Sequence, residues 1–258
     1  MQLELSKKVV LVSGGTRGIG GGISVELARE GAHVVILSRR APESEFLSKM
    51  NGLSFEFHEI ELSQTEKIES LMQEITAKHP KIFAVVNNAG VNDNLAIEST
   101  SYQDFEASLR KNLLHYYELT RCALPFIEEE GSVLNIASKV ALTGQGKTSA
   151  YAAAKGAILG LTREWSVAFL KRRIRVNAIV VAECFTPLYE NWIKSFGDEK
   201  AQKEQLEKIT RNIPLERRMS SIEEIANTAV FLLSKRASHT TGQWVYVDGG
   251  YCHLDRAL

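Results

Sequence analysis

Tyr151 and Lys155 stand in the run Tyr-Ala-Ala-Ala-Lys. On a helix, this four-residue spacing puts a phenol and an ammonium on one face. A phenol with its ordinary pKa near ~10 is a poor base at neutral pH. A neighbouring ammonium stabilises the phenolate and lowers that value. The pair therefore predicts a group that takes a proton from an alcohol or gives one to a carbonyl. Ser138, at the end of the preceding strand, is placed to hydrogen-bond the same substrate oxygen. A Tyr-x-x-x-Lys alone arises by chance in many helices, so its meaning depends on the rest of the chain.

A second constellation lies near the N-terminus. The apolar run Lys7–Ser13 leads into "GGTRGIG" and then into a helix-like stretch. Gly14, Gly18 and Gly20 permit a tight turn and close backbone approach to a pyrophosphate, and the following helix offers unpaired N–H groups at its positive end. The spacing is G-x-x-x-G-x-G, with Thr16, Arg17 and Ile19 as the other candidate contacts. A flexible turn is the plain alternative for such a loop taken alone. The second strand ends "VVILSRR", where an NAD site commonly carries an acid for the ribose. Ser38, Arg39 and Arg40 stand there instead, and guanidiniums suit a 2′-phosphate. NADP is the expected cofactor, with NAD a second option and a solvated arginine turn the alternative. Glu61 and the adjacent Leu62, after the third strand, are candidate contacts near the adenine; a surface role is the alternative for Glu61.

These residues need elements to hold them. Short apolar runs predict strands at 9–13, 33–38, 54–59, 83–87, 132–137, 175–181 and 243–247. Amphipathic stretches predict helices at 19–30, 43–50, 64–79, 102–129, 149–171, 188–209 and 222–233. Alternating strand and helix implies an α/β protein, a parallel sheet with helices on both faces. Ligands in such sheets bind beyond the carboxyl ends of the strands, where Gly14, Ser38, Asn88, Ser138 and Glu183 all fall.

Several fragments then fit one pattern: "SGGTRGIG" at 13–20, "NNAG" at 87–90, "KNL" at 111–113, "NIAS" at 135–138, "YAAAK" at 151–155, "RVNAI" at 175–179, "TP" at 186–187 and "YVDGG" at 246–250. In order and spacing the chain resembles a classical short-chain dehydrogenase/reductase over essentially its whole length. The resemblance implies a single Rossmann domain spanning 1–258, with a doubly wound seven-stranded sheet in the order 3-2-1-4-5-6-7. It implies a catalytic set of Asn112, Ser138, Tyr151 and Lys155, in which Lys155 also holds the nicotinamide ribose and Asn112 positions a water that relays the proton. It further implies that Asn88, Ala89 and Gly90 pack on the cofactor, that Thr186 reaches the nicotinamide carboxamide, and that the long helices pair subunits into a homotetramer.

One departure bears on substrate. Where the family pattern continues with Pro-Gly after "RVNAI" and one further residue, this chain has Val181-Ala182 and then Glu183. Glu183 has no base beside it in sequence. With Tyr189, Asn191, Trp192 and Gln145, it is a candidate for binding substrate hydroxyls, alongside Ser138 and Tyr151. The segment 183–215 would form the substrate loop and helices, and the tail 251–258 would adjoin it. The stretches "AECFTPLYENW" and the last 22 residues further resemble the branch of L-fucose dehydrogenases, which oxidise a sugar's anomeric carbon to a lactone. A 3-oxoacyl-carrier-protein reductase, a hydroxysteroid dehydrogenase and a non-catalytic nucleotide sensor are the other readings.

Composition narrows the rest. With 31 basic and 31 acidic residues the net charge is zero, which favours neither nucleic acid nor an anionic membrane. No apolar run reaches the roughly 20 residues of a membrane helix, and the N-terminus lacks a signal-peptide core. A cytoplasmic enzyme is expected. Cys122, Cys184 and Cys252 are odd in number and widely spaced, and the six histidines show no ligand spacing, so no metal is expected. Cys184 reads as a packed thiol, Asn177 as a stitch between strands, and the basic run 171–175 as a solvated helix end.

Overall fold

The computed structural model describes residues 2–254, the side chain of Leu188 excepted. A seven-stranded parallel sheet runs through it in the order β3-β2-β1-β4-β5-β6-β7. The strands are β1 Val9–Ser13, β2 His33–Ser38, β3 Phe55–Glu59, β4 Ile82–Asn87, β5 Ile127–Ser138, β6 Arg175–Val181 and β7 Trp244–Val247. The expected order holds, and three strands match residue for residue. The central strands are buried on both faces, so their side chains divide by parity. Val10, Val12, Val34 and Ile36 enter one core, with Leu27, Ile225 and Leu233. Leu11, Val35, Leu37 and Val85 enter the other, with Ile68, Ile75 and Trp165.

The helices cover both faces. Helix α1 (Gly18–Arg29) lies against α10 (Ile222–Leu233). The two pass so closely that a Cβ at Gly22 would stand 2.2 Å from Ile222 Cγ2. The start of α10 is fixed by a capping box, in which Ser221 and Glu224 each bond the other's backbone N–H. On the opposite face α3 (Ile68–Lys78) and α7 (Ser149–Ala168) bury Ile75 and Trp165. A shorter helix α2 (Ser44–Lys49) buries Phe46.

Two expected helices come out divided. The stretch read as one helix over 102–129 is α4 (Tyr102–Leu109), a π-helical turn at Arg110–Leu114 and α5 (His115–Ala123). It stops before Pro125, whose ring cannot continue a helical hydrogen-bond ladder, and residues from Ile127 onward already belong to β5. The stretch 188–209 divides into α8 (Pro187–Lys194) and α9 (Glu199–Thr210). Between them Gly197 adopts φ +97°, which a helix cannot contain, and Asp198 caps the second piece. A short α6 (Val140–Thr143), not foreseen, follows the catalytic serine.

Buried polar side chains tie the layers together. Asn87 donates to Thr120 Oγ1 and Asn135 Oδ1, and Asn135 donates to Thr162 Oγ1. Asn177 donates to the Thr240 carbonyl and accepts from the Gln243 N–H, so it does stitch β6 to the approach of β7. The basic run 171–175 is solvated only in part, at Lys171 and Arg173. Arg172 donates to the carbonyls of Leu124 and Ile127. The buried Arg175 donates to those of Leu232, Leu233 and Ser234, closing the C-terminus of α10.

Candidate active site

A cavity of about 370 Å³ opens at the carboxyl ends of the strands. One wall is built from the first half of the chain. Gly14 and Gly18 adopt φ +67° and +54°, the left-handed region that glycine reaches without penalty. The loop leaves no room for more: a Cβ at Gly20 would fall 2.3 Å from both Gly14 O and Asn88 Nδ2. Asn88 Nδ2 donates to the Ser13 carbonyl at 3.0 Å, while Ser13 Oγ accepts from the N–H groups of Asn88 and Ala89. Asn88 thus fastens the glycine turn to β4. Arg17, at the N-cap of α1, has no side-chain capping bond, which leaves the amino end of that helix facing the cavity.

This wall fits a dinucleotide. The glycine turn and helix end suit a pyrophosphate. Arg17, Ile19, Ser38, Arg39, Glu61, Leu62, Ala89 and Gly90 all line the cavity with the glycines 14 and 18. Burial, then Arg40 and Arg39, hold the Arg17 guanidinium below its ordinary range, while Glu43 opposes them. Three guanidiniums are therefore gathered at one rim, an arrangement that an added phosphate would relieve. Arg39 is ion-paired to Glu61 at 3.2 Å. Thr16 and Gly20 stand behind the lining, with Thr16 Oγ1 3.4 Å from Ser38 Oγ, and Arg40 is exposed beside it.

The other wall carries Ser138, Tyr151 and Lys155 from β5 and α7. Ser138 hydrogen-bonds Tyr151, which draws the phenol downward, but burial is the larger effect and Asp93 adds to it, leaving Tyr151 pushed up to about 12. Lys155 is buried more deeply than the half-buried Tyr151, and burial pulls it down to about 7. The expectation that Lys155 lowers the Tyr151 value is not met. Lys155 Nζ lies 5.6 Å from the Tyr151 ring centroid and donates instead to Tyr116 Oη at 3.1 Å and the Ile136 carbonyl at 2.8 Å. Enclosure drives both groups toward their neutral forms.

Asn112 lies in the π-helical turn, a type of distortion frequent at functional sites. Its Oδ1 accepts from Val91 N at 2.8 Å and its Nδ2 donates to Ser108 O at 3.0 Å. A Cβ at Gly90 would press on Asn112 Oδ1 at 2.9 Å, with Lys155 Nζ 3.7 Å away. Asn112 therefore sits immediately behind the lining. Two residues that the sequence did not single out also belong here. Tyr116 anchors Lys155, and His115 lines the cavity with its imidazole pulled down to about 4 by burial.

The substrate side differs from expectation. Tyr189 and Thr186 line the cavity, together with Val181, Ala182, Cys184 and Pro187. Thr186 also caps α8 through Tyr189 N. Glu183 does not line it. Its carboxylate is ion-paired with Lys139, which is buried, and hydrogen-bonds the Tyr189 phenol. Lys139 Nζ in turn lies 3.8 Å from the centre of the Tyr251 ring. The base that Glu183 lacked in sequence arrives from the residue after Ser138. Gln145 and Asn191 are exposed and off the cavity. Trp192 is exposed as well, packed edge-on against Tyr189 and Phe196. Asn191 and Trp192 lie on the exposed side of α8, and Gln145 in the loop after α6. Residues 183–185 pair with Ser220 through two backbone hydrogen bonds, which fixes the loop where Pro-Gly is missing. Cys184 is a packed thiol, pushed up to about 12 by burial. Tail residues 255–258 lie outside the described residues.

Comparison with known proteins agrees with this architecture. The family described as enoyl-(acyl carrier protein) reductase, a short-chain dehydrogenase/reductase grouping, matches residues 14–252. The chain is 54% identical to the Cj0485 dehydrogenase, whose crystal structure superposes with a TM-score of 0.96 over 100% of this chain and 99% of that one. It is 35% identical to L-fucose dehydrogenase of Bos taurus, over 97% of this chain and 91% of the other. It is 30% identical to the 3-oxoacyl-[acyl-carrier-protein] reductase of Thermotoga maritima, over 96% and 99%.

Proposed function

Because the chain belongs to the short-chain dehydrogenase/reductase family and is an oxidoreductase of CH–OH groups on a small molecule, we propose that it oxidises the anomeric carbon of an aldose such as L-fucose to the lactone, using NADP. The observation carrying the proposal is the meeting, in one cavity, of the glycine turn with Ser138, Tyr151 and Lys155. When bound, the nicotinamide dinucleotide supplies the hydride chemistry. The chain's residues handle the proton and the position. Ser138 and Tyr151 hold the substrate oxygen, and Tyr151 Oη passes its own proton outward as it takes that of the substrate hydroxyl, while the carbon–oxygen double bond forms. In the reverse direction Tyr151 returns that proton. Lys155 reaches the ribose hydroxyls, and Tyr116 keeps it extended toward them. Asn112, through its place behind Gly90, orders the water that relays the proton outward.

The sugar reading rests on the similarity to L-fucose dehydrogenase and on Tyr189, a polar lining group held from behind by Glu183 and Lys139, since an apolar substrate would leave such a group poorly matched. The NADP reading rests on Arg17, Arg39 and Arg40 gathered at one rim. The whole chain would act as one domain, with 183–215 closing the substrate side. Leu114, Tyr117, Val167 and Leu170, exposed on or beside the helices α5 and α7, supply the apolar faces for a homotetramer. A cytoplasmic location accords with the described helices, of which none is long and apolar enough to cross a membrane.

The test is to add NADP⁺ or NAD⁺ with a panel of aldoses and follow absorbance of the reduced cofactor. Turnover of L-fucose or a stereochemically related aldose is the expected result. Turnover of 3-oxoacyl thioesters or ketosteroids with silence toward sugars would overturn the substrate. Tight cofactor binding with no turnover of anything would overturn catalysis in favour of a nucleotide sensor.

A further inference from the structure

The edge of the sheet opposite the cavity holds a cluster that the reaction does not use. His33 opens β2, Glu56 is the second residue of β3, and His79 caps the carboxyl end of α3. One ligand atom from each lies within 4.8 Å of the other two. The imidazole rings of His33 and His79 are 4.8 Å apart, centre to centre. Both Nε2 atoms are shut off from solvent without a well-formed hydrogen bond, and Glu56 Oε1 stands 3.3 Å from that of His79. Buried polar atoms of this kind ordinarily have partners, so two such nitrogens beside a carboxylate call for one.

We propose that His33, Glu56 and His79 form a binding site for a borderline-soft divalent cation, with zinc as its natural chemistry. Two imidazoles and a carboxylate are a donor set that zinc takes readily. In a tetrahedral site with bonds of about 2.0–2.1 Å, neighbouring ligand atoms stand about 3.3 Å apart. His79 Nε2 and Glu56 Oε1 are 3.3 Å apart already. The surroundings orient the ligands as outer partners of metal sites do. His33 Nδ1 lies 2.7 Å from Ser54 Oγ; with Nδ1 donating there, Nε2 presents its lone pair. His58 Nε2 bonds Glu56 Oε1 at 2.9 Å and holds that carboxylate in place. Burial and His79 keep His33 below the ordinary imidazole range, against the pull of Glu56. Lys78 Nζ is 3.9 Å from Glu56 Oε2, but the side chain is largely exposed and free to swing away. Water completes the coordination.

The ligands come from β2, β3 and the end of α3, so the ion would staple the outer edge of the sheet. Binding to the native state alone raises stability by mass action. Because the site and the cavity lie at opposite ends of the strands, turnover should not change.

The experiment uses the full chain, freed of metal by chelator, with zinc chloride as the probe. Calorimetric titration should show one zinc per chain, with a zinc-dependent rise in Tm. His79→Asn and Glu56→Gln should each weaken binding at least ten-fold and abolish the Tm response. Ser54→Ala should weaken it within the roughly 10–100-fold range of outer-partner losses, and His239→Asn should leave it unchanged. Dehydrogenase activity should be the same in every variant. Unaltered zinc binding in both His79→Asn and Glu56→Gln, or no stoichiometric binding by the unmodified chain, would overturn the site. Should a variant misfold, cobalt loaded into the unmodified chain decides: nitrogen and oxygen ligation upholds the site, and a thiolate charge-transfer band overturns it.

Discussion

The two walls of the cavity are held by different kinds of contact. On the cofactor wall, Gly14, Gly18 and Gly20 lie within one turn, and the backbone itself makes the shape. On the substrate wall, Lys139 meets Glu183 across β5 and β6, Glu183 meets Tyr189 on α8, and Lys139 lies under Tyr251 from the tail. The first wall is set by short-range conformational constraint. The second is a relay of side chains drawn from four separate segments. Change in the first should disturb cofactor affinity through strain confined to the turn, whereas change in the second should disturb substrate affinity and the packing of four segments together.

The largest effect should come from the residue where the walls meet. Tyr151→Phe removes the proton acceptor and keeps the ring. Loss of a positioned acid/base group costs roughly 10²–10⁴-fold in rate, so kcat should fall by about that factor. The dissociation constant for the cofactor, read by fluorescence titration, should hardly move. A variant within ten-fold of the parent kcat would remove Tyr151 from the chemistry.

Lys155 offers a different view of the same place. Its folded-state value of about 7 lies below the ordinary 10.5. Between those limits the unfolded chain holds a proton that the folded chain has released, so this group's contribution to stability rises with pH through that window. Below pH 7 the cost of enclosing the ammonium is fully present. Lys155→Met lacks this dependence. Relative to the variant, the parent should gain on the order of a few kcal/mol between pH 6.5 and 9.5, by urea unfolding. A difference that stays flat with pH would show that Lys155 keeps its charge in the fold.

These two residues also mark what the sequence discloses. Tyr151 and Lys155 are legible because four-residue spacing on a helix is local geometry, and the strand-to-helix glycine turn is legible for the same reason. Short apolar runs placed β1, β2 and β6 to the residue. Helix boundaries at 102–129 and 188–209 failed because apolar content masks a π-turn, a proline stop and a single left-handed glycine. The anchor of Lys155 on Tyr116, and the pairing of Glu183 with Lys139, depend on strand register and crossing helices, to which no local spacing corresponds. The same holds for His33, Glu56 and His79, distant in sequence and joined only by the pairing of β2 with β3 and the return of α3.

The substrate wall can be broken at Glu183. Lys139 and Glu183 are mostly enclosed, with side chains 10% and 17% exposed. Removing one partner of a buried pair strands the other charge, and partial exposure moderates the cost here. Glu183→Gln should lose about 1–3 kcal/mol of stability and raise the substrate KM, with the cofactor constant unchanged. The double variant Lys139→Met/Glu183→Leu should regain much of the stability, since apolar replacements of a buried pair are often neutral or better. It should not regain the KM. Recovery of both would mean that the pair only holds the loop.

The smallest effect is expected at the rim. Arg39 is mostly exposed and paired with Glu61, and exposed pairs contribute only about 0.2–1 kcal/mol. Arg39→Asp will therefore leave Tm within a degree or two. Its consequence should appear in cofactor choice, because an acid placed there repels a 2′-phosphate and accepts from ribose hydroxyls. Arg17 and Arg40 remain to hold a phosphate, so the shift toward NAD should be moderate. About a ten-fold fall in the ratio of kcat/KM for NADP over NAD corresponds to one charged hydrogen bond of about 1.4 kcal/mol. An unchanged ratio would show that Arg39 only screens Glu61, and that the other two arginines set the preference by themselves.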